Sequence, residues 1–212
     1  GRQSLPPRFS LAPRPRDRLD RDLPCHAVPA HAGPDILAPM AGRVRLETEG
    51  ALAWIVFDQP ERRNAISAAM WKTIPELAQA VDEDSEVRVV VLRGAGEEAF
   101  VSGADISEFE GARQGTGAGE YDEASARAFA SLARLRMPVL AMIHGFCVGG
   151  GAALSLTADL RYASDDALFA IPAAGLGLGY SEAGIEALVN VVGIPAAKEI
   201  FFTARRLRAD EA

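Results

Sequence analysis

The chain predicts an α/β domain over residues 40–212, and three observations carry that expectation. From Val44 onward, short apolar runs with strand character alternate with stretches of helical periodicity. Two of the apolar runs end in glycine turns, Phe100-Val-Ser-Gly-Ala-Asp-Ile106 and Met142-Ile-His-Gly-Phe-Cys-Val-Gly-Gly-Gly-Ala-Ala-Leu154, and the second turn opens a helix. Composition changes sharply near Met40, where a Pro- and Arg-rich stretch without periodicity gives way to regular alternation.

Taken in order, residues 43–49 and 52–57 read as a paired set of strands, 68–81 as an amphipathic helix and 87–92 as a buried strand. The polar, glycine-rich stretch 111–123 reads as a connecting loop. Residues 123–135 read as a helix with one apolar face, 138–143 as a strand and 150–157 as a short helix. Two short strands follow over 160–163 and 167–170, then helices over 182–192 and 195–203, and residues 209–211 look like the start of a further helix.

The two glycine turns are the chemically informative part. A ligand oxygen that must come within about 3 Å of a main-chain nitrogen meets no Cβ at glycine, and the dipole of a following helix favours developing negative charge. Two such turns facing one ligand can form an oxyanion hole suited to an enolate, although glycines at a strand–helix junction also serve tight packing alone.

Four motifs follow one another in a recognisable order: Trp54-Ile-Val-Phe-Asp-Gln-Pro-Glu-Arg-Arg-Asn-Ala-Ile66, Ala99-Phe-Val-Ser-Gly-Ala-Asp-Ile106, the run from His144 to Gly151, and Phe169-Ala-Ile-Pro172. In that order and spacing the chain resembles the crotonase superfamily, the enoyl-CoA hydratase/isomerase family, from about Val44 to its C-terminus. The resemblance implies a ββα spiral of the ClpP/crotonase fold and an acyl-CoA thioester as substrate, with coenzyme A part of the substrate and no separate cofactor. It implies a thioester enolate held by the backbone N–H groups of Ala104 and Gly150, with Ser102, Gly103, Ile106, Gly149 and Pro172 bordering the substrate. Arg62 and Arg63 match positions near the CoA phosphates, or form an ordinary solvated turn pair. Asp105 is expected to make local hydrogen bonds that position the Ala104 N–H.

Typical hydratases of the family carry one glutamate two residues after the triple glycine and another directly after the proline of Phe-x-x-Pro. This chain has Ala153 and Ala173 there. Hydration needs a general base and a general acid, each contributing about 10²–10⁴-fold, and a methyl group supplies neither. Glu182, with Tyr180, is the leading replacement, because dienoyl-CoA isomerases of the family place a carboxylate at the position of Ser181. The competing reading makes Ser181 a helix N-cap and Glu182 a first-turn residue that complements unpaired N–H groups. Glu120, Tyr121 and Asp122 could reach substrate from the 111–123 loop, and His144 reads as a structural residue at a strand end.

Other chemistries find no support. Gly179-Tyr-Ser-Glu-Ala-Gly184 is one residue too long for a nucleophile elbow, no His/Cys/carboxylate spacing reads as a metal site, and Gly175-Leu-Gly-Leu-Gly179 lacks the context of a dinucleotide fingerprint. A net charge of −7 argues against a nucleic-acid surface, and no run approaches the roughly 18 apolar residues of a membrane span. Cys25 and Cys147 are not expected to pair, which suits a reducing cytoplasm.

Residues 1–39 read as a disordered leader, an extension of the domain or a wrongly joined upstream segment, and 40–212 as a crotonase-like domain truncated at its C-terminal end. Family members of full length are expected to form trimers or hexamers. Two functions compete: an acyl-CoA-processing lyase or isomerase, and a non-catalytic acyl-CoA-binding or assembly subunit for which Ala153 and Ala173 speak directly. Deleting residues 1–39 should leave the melting temperature and CoA-thioester affinity unchanged, because so little apolar surface cannot offset its ordering entropy; a loss of more than a few degrees in a thermal melt would show that it packs on the domain.

Overall fold

The computed structural model describes residues 42–105 and 116–212. Strands β1 (Arg43–Glu49) and β2 (Leu52–Asp58) form an antiparallel hairpin whose turn begins at Gly50, with φ +56°. A side chain is strained at that dihedral, so the residue that starts the turn is glycine. Strands β3 (Val89–Gly94), β5 (Val139–Ile143) and β7 (Leu160–Ala163) add in parallel to give the order β1-β2-β3-β5-β7.

Alternation along these strands aims Ile55, Phe57, Val90, Leu92, Ala141 and Ile143 at one face, all of them buried. Helix α1 (Ala68–Glu83) buries Met70, Trp71, Ile74, Ala78 and Val81, a stripe at helical spacing, and packs against α2 (Thr116–Ala133). Ser67 caps α1, its Oγ accepting from the Met70 N–H at 3.2 Å.

The second sheet has the order β4-β6-β8-β9. Strands β4 (Ala99–Val101), β6 (Phe146–Val148) and β8 (Leu168–Ala170) run parallel, and β9 (Leu207–Arg208) closes the edge antiparallel to β8. Helix α3 (Gly150–Leu156) leaves the end of β6 and packs on α4 (Glu182–Thr203). Gly193, at φ 77° and ψ 162°, breaks α4 into the two helices that the sequence predicts.

Two expectations change, and two short strands are added to those read from the sequence. The polar stretch before residue 123 is helical from Thr116, because Tyr121, Ala124, Ala128 and Leu132 continue one buried stripe against α1. Strands β6 and β9 are three and two residues long, too short to show a period, and hydrogen-bonded neighbours define them. Residues 209–211 form a turn after β9, where Arg208 C=O accepts from Glu211 N–H at 3.1 Å and Ala212 N–H at 2.9 Å.

Two buried positions give sharp expectations. A Cβ on Gly151 would lie 2.1 Å from the Val101 carbonyl oxygen, a backbone atom that cannot swing aside. Gly151→Ala should therefore cost at least about 3 kcal/mol of unfolding free energy in a denaturant titration.

Cys147, fully buried in β6, has its thiol pushed up to about 12 by desolvation. Above pH 9 the unfolded thiol ionises while the folded one keeps its proton, so the unfolded state binds fewer protons and stability declines as pH rises. Between pH 9 and pH 12 this contributes a loss of about 1.4 kcal/mol per pH unit, which Cys147→Ala should remove from the pH–stability profile.

Candidate active site at the ends of three parallel strands

Because β4, β6 and β8 are parallel neighbours, the segments leaving their C-terminal ends emerge side by side. Those segments are residues 102–105, the Gly149-Gly150-Gly151 turn and residues 171–173, and the ends of parallel strands are where α/β folds place ligands. The Gly149 N–H donates to the Ala170 carbonyl at 2.9 Å, joining the second segment to β8. The first and second touch through bare backbone: a Cβ on Gly149 would sit 3.9 Å from Gly103 Cα, and one on Gly150 would sit 3.9 Å from Gly103 C.

The buried side chain of Asn64 holds the first segment in place. Asn64 adopts φ +55°, accepts from the Gln59 N–H at 3.0 Å through Oδ1, and donates through Nδ2 to the carbonyls of Ala95 (2.8 Å) and Ala99 (2.7 Å). It thus ties the 59–64 turn to the end of β3 and the start of β4 with every polar atom partnered. Two residues on, Ile66 bridges Ala104: the Ile66 N–H donates to Gly103 C=O at 2.8 Å, and the Asp105 N–H donates to Ile66 C=O at 2.9 Å.

In such a parallel bridge the central residue's own N–H turns away from its partner strand, and the Ala104 N–H has no acceptor among the described residues. Gly150 is the first residue of α3, so its N–H is one of the donors that a helix start leaves over, and it too has no acceptor among the described residues. The arrangement can direct two amide donors toward an oxygen placed across the Gly103–Gly149 contact.

The charged residues around this point are engaged with one another. Buried Asp105 accepts from Arg62 at 2.6 Å and from Gln59 Nε2 at 3.3 Å, so the Arg62 side chain reaches toward the loop that carries Ala104. Arg63, at φ 52°, pairs with Glu98 at 3.2 Å and lies 4.9 Å over the Phe146 ring. Ser102 is tied to the same turn, its N–H donating to Arg63 C=O at 3.1 Å and its hydroxyl to Arg62 C=O at 3.3 Å. Ile106 lies outside the described residues.

At the third segment, Pro172 is half-buried, and its carbonyl accepts from the Leu176 N–H at 3.2 Å. Ala173 is buried at the start of a 3-10 turn, whereas Ala153, in the first turn of α3, is half-exposed. Ser181 caps α4, its Oγ accepting from the Gly184 N–H at 3.2 Å, and the exposed Glu182 follows in the first turn. Tyr180 packs edge-on against Phe201 at 5.4 Å, and burial pushes its hydroxyl up from the ordinary value, which keeps it a donor near neutral pH.

Glu120 and Asp122 are exposed on α2, while Tyr121 is buried and its hydroxyl accepts from Trp71 Nε1 at 2.8 Å. That contact joins residues 50 apart, and neither residue type marks it in the sequence. The buried Nε2 of His144 has no hydrogen-bond partner among the described residues, and the His144 carbonyl accepts from the Phe100 N–H at 2.8 Å. No group of acidic, histidine or cysteine side chains among the described residues could hold a metal ion, and none of their helices is long and apolar enough to cross a membrane.

The chain matches the enoyl-CoA hydratase/isomerase family over residues 47–212. It is 37% identical over 169 residues to the short-chain-enoyl-CoA hydratase of Clostridium acetobutylicum, covering 80% of this chain and 64% of that protein. It is 31% identical over 180 residues to the peroxisomal Delta(3,5)-Delta(2,4)-dienoyl-CoA isomerase of Arabidopsis thaliana, again covering 80% and 64%. The chain thus spans less than two thirds of the length of these relatives. Among solved structures, an enoyl-CoA hydratase/carnithine racemase from Magnetospirillum magneticum superposes with a TM-score of 0.77 at 35% identity, covering 80% of this chain and 64% of that one. A family match over most of the chain, together with this superposition of a mixed α/β fold, places the chain in the enoyl-CoA hydratase/isomerase family with the crotonase fold.

Proposed function

We propose that this chain binds an acyl-CoA thioester across the ends of β4, β6 and β8 and stabilises its enolate with the backbone N–H groups of Ala104 and Gly150. The observation that carries this reading is the bare-backbone contact between Gly103 and the Gly149-Gly150 turn, flanked by two amide donors without acceptors among the described residues. Preorganised amides of this kind lower the barrier because they need no reorientation as charge develops on the oxygen. In this reading the chain acts on its thioester without a separate cofactor and in a cytoplasmic setting, with the full-length protein a trimer or hexamer.

Two-carboxylate hydration does not fit these residues. Ala153 and Ala173 stand where the family's hydratases carry glutamates, and Asp105 is engaged by Arg62 and Gln59. Glu182 has the surroundings of a helix-start residue, and Tyr180 those of a proton donor. The reaction is accordingly one that uses the two amides with at most one weak proton donor, a lyase or isomerase step of the family. A second reading, a non-catalytic acyl-CoA-binding or assembly subunit, draws on the same two alanines.

Gly150→Pro is the direct test. Proline at the first position of a helix is well tolerated, so the substitution removes one donor without breaking α3, while the added Cβ also meets the Trp71 ring at 3.3 Å. It should reduce turnover, or affinity for an enolate analogue if the protein is a binder, by about 3–4 kcal/mol, with circular dichroism unchanged. A folded variant that keeps both would sink the reading.

In a side-by-side assay, crotonyl-CoA hydration should run at least ~10²-fold below that of a two-glutamate relative. Ala153→Glu with Ala173→Glu should raise it. The second change carries a stability cost, since Ala173 is only 4% exposed and a carboxylate there must be desolvated.

A further inference from the structure

One short stretch of chain touches both halves of the candidate site. Ile66 holds the Ala104 segment through two backbone hydrogen bonds, and five residues later the indole of Trp71 lies beneath Gly150. Trp71 is 1% exposed, and a Cβ on Gly150 would come 3.3 Å from its Cζ2 and 3.8 Å from the adjoining ring carbon. The indole is therefore the spacer against which the Gly150 turn rests, carried on the same helix start that anchors Ala104.

A tryptophan ring has a broad torsional choice about its outer bond, so it acts as a spacer only if something fixes the ring. Helix α2 does so. Tyr121 accepts from Trp71 Nε1 at 2.8 Å, its ring meets the indole at 6.4 Å and 85°, and Phe129 meets it from the same helix at 5.1 Å and 70°. Edge-on aromatic contacts favour this one orientation, and without the Tyr121 hydroxyl the indole N–H would be left buried and unpaired.

We propose that Trp71, locked by the Tyr121 hydroxyl, is the positioning residue that sets the Gly150 amide relative to the Ala104 amide. The proposal rests on reading these amides as the thioester donors. Neither aromatic residue is asked to touch substrate or carry a proton. Their effect runs through the placement of a donor, where an error of about 1 Å can cost about 10²-fold in rate.

The test measures carbonyl polarisation in the full chain. Butyryl-CoA labelled with ¹³C at the thioester carbonyl is bound and its C=O stretch read by isotope-edited infrared spectroscopy, and its affinity is compared with that of S-butyl-CoA, which lacks the carbonyl. The unsubstituted protein should lower the stretch frequency and prefer butyryl-CoA, and Gly150→Pro should largely abolish both effects. Tyr121→Phe, which keeps the ring and loses the hydroxyl, should at least halve the frequency shift and cut the preference about 5-fold, with S-butyl-CoA affinity within about twofold of the original.

Gly150→Ala keeps the amide but presses on the indole. It should show the same loss, and the smaller ring in Gly150→Ala/Trp71→Phe should recover most of it, a reciprocity that loss of stability alone does not produce. If the unsubstituted protein shows no shift, or Gly150→Pro leaves it intact, the amide reading itself fails and takes this proposal with it. If Gly150→Pro abolishes the shift while Tyr121→Phe preserves it, or if Gly150→Ala is neutral, the amides stand and the positioning role of Trp71 is overturned.

Discussion

Two stretches of backbone meet with no side chain between them, and the second sheet is organised around that meeting. Gly151 lies so close to β4 that a single methyl group would intrude on the Val101 carbonyl, and Gly145, one residue before β6, is equally tight against the Glu98 carbonyl. Both contacts lie between β4 and β6, flanking a pairing whose register shifts between Ala99 and Val101. Close packing lets this geometry be passed on: β6 delivers Gly149 and Gly150 to the Ala104 loop because nothing separates the strands that carry them.

The site assembled this way consists of dipoles more than charges. The formal charges nearest the Ala104 loop cancel locally, Asp105 against Arg62 and Arg63 against Glu98, which matters in a chain of net charge −7 whose proposed ligand is an anion. Amide dipoles gain strength as the surrounding dielectric falls, and methyl groups at 153 and 173 lower it where carboxylates would raise it. The same alanines leave proton transfer to groups farther away. Stabilising charge and moving protons are separable tasks, and these residues are disposed toward the first.

Much of this arrangement was legible in the sequence, and what was not shares one cause. The hairpin, the alternating strands, the break between the helices at Gly193 and the two glycine turns are local signals, carried by residues a few positions apart. Asn64 looks like one more polar residue in an Arg-Arg-Asn-Ala turn until its partners are known, and they lie 31 and 35 residues downstream. Arg62 and Asp105 were legible as separate candidates, one for phosphate and one for a local turn, whereas the fold joins them across a separation of 43 positions into a single ion pair. The glycine-rich stretch 111–123 reads as loop by composition, and its residues from Thr116 onward fold as helix because Tyr121 finds Trp71 on a neighbouring helix. Tertiary partners overrode local preference in each case.

Cys147 sits two residues before Gly149, inside the strand that feeds the glycine turn. A thiol so near the proposed thioester site would be a hazard if the bound acyl group were α,β-unsaturated, since thiolates add readily to such electrophiles and the adduct would cap the protein with its own ligand. Here the sulfur is fully buried and its ionisation is pushed up to about 12, so at neutral pH roughly one molecule in 10⁵ would carry a thiolate at all, and that one would lie sealed beneath the strand. The strand can thus carry the backbone donors of the proposed site while its only nucleophile stays chemically silent.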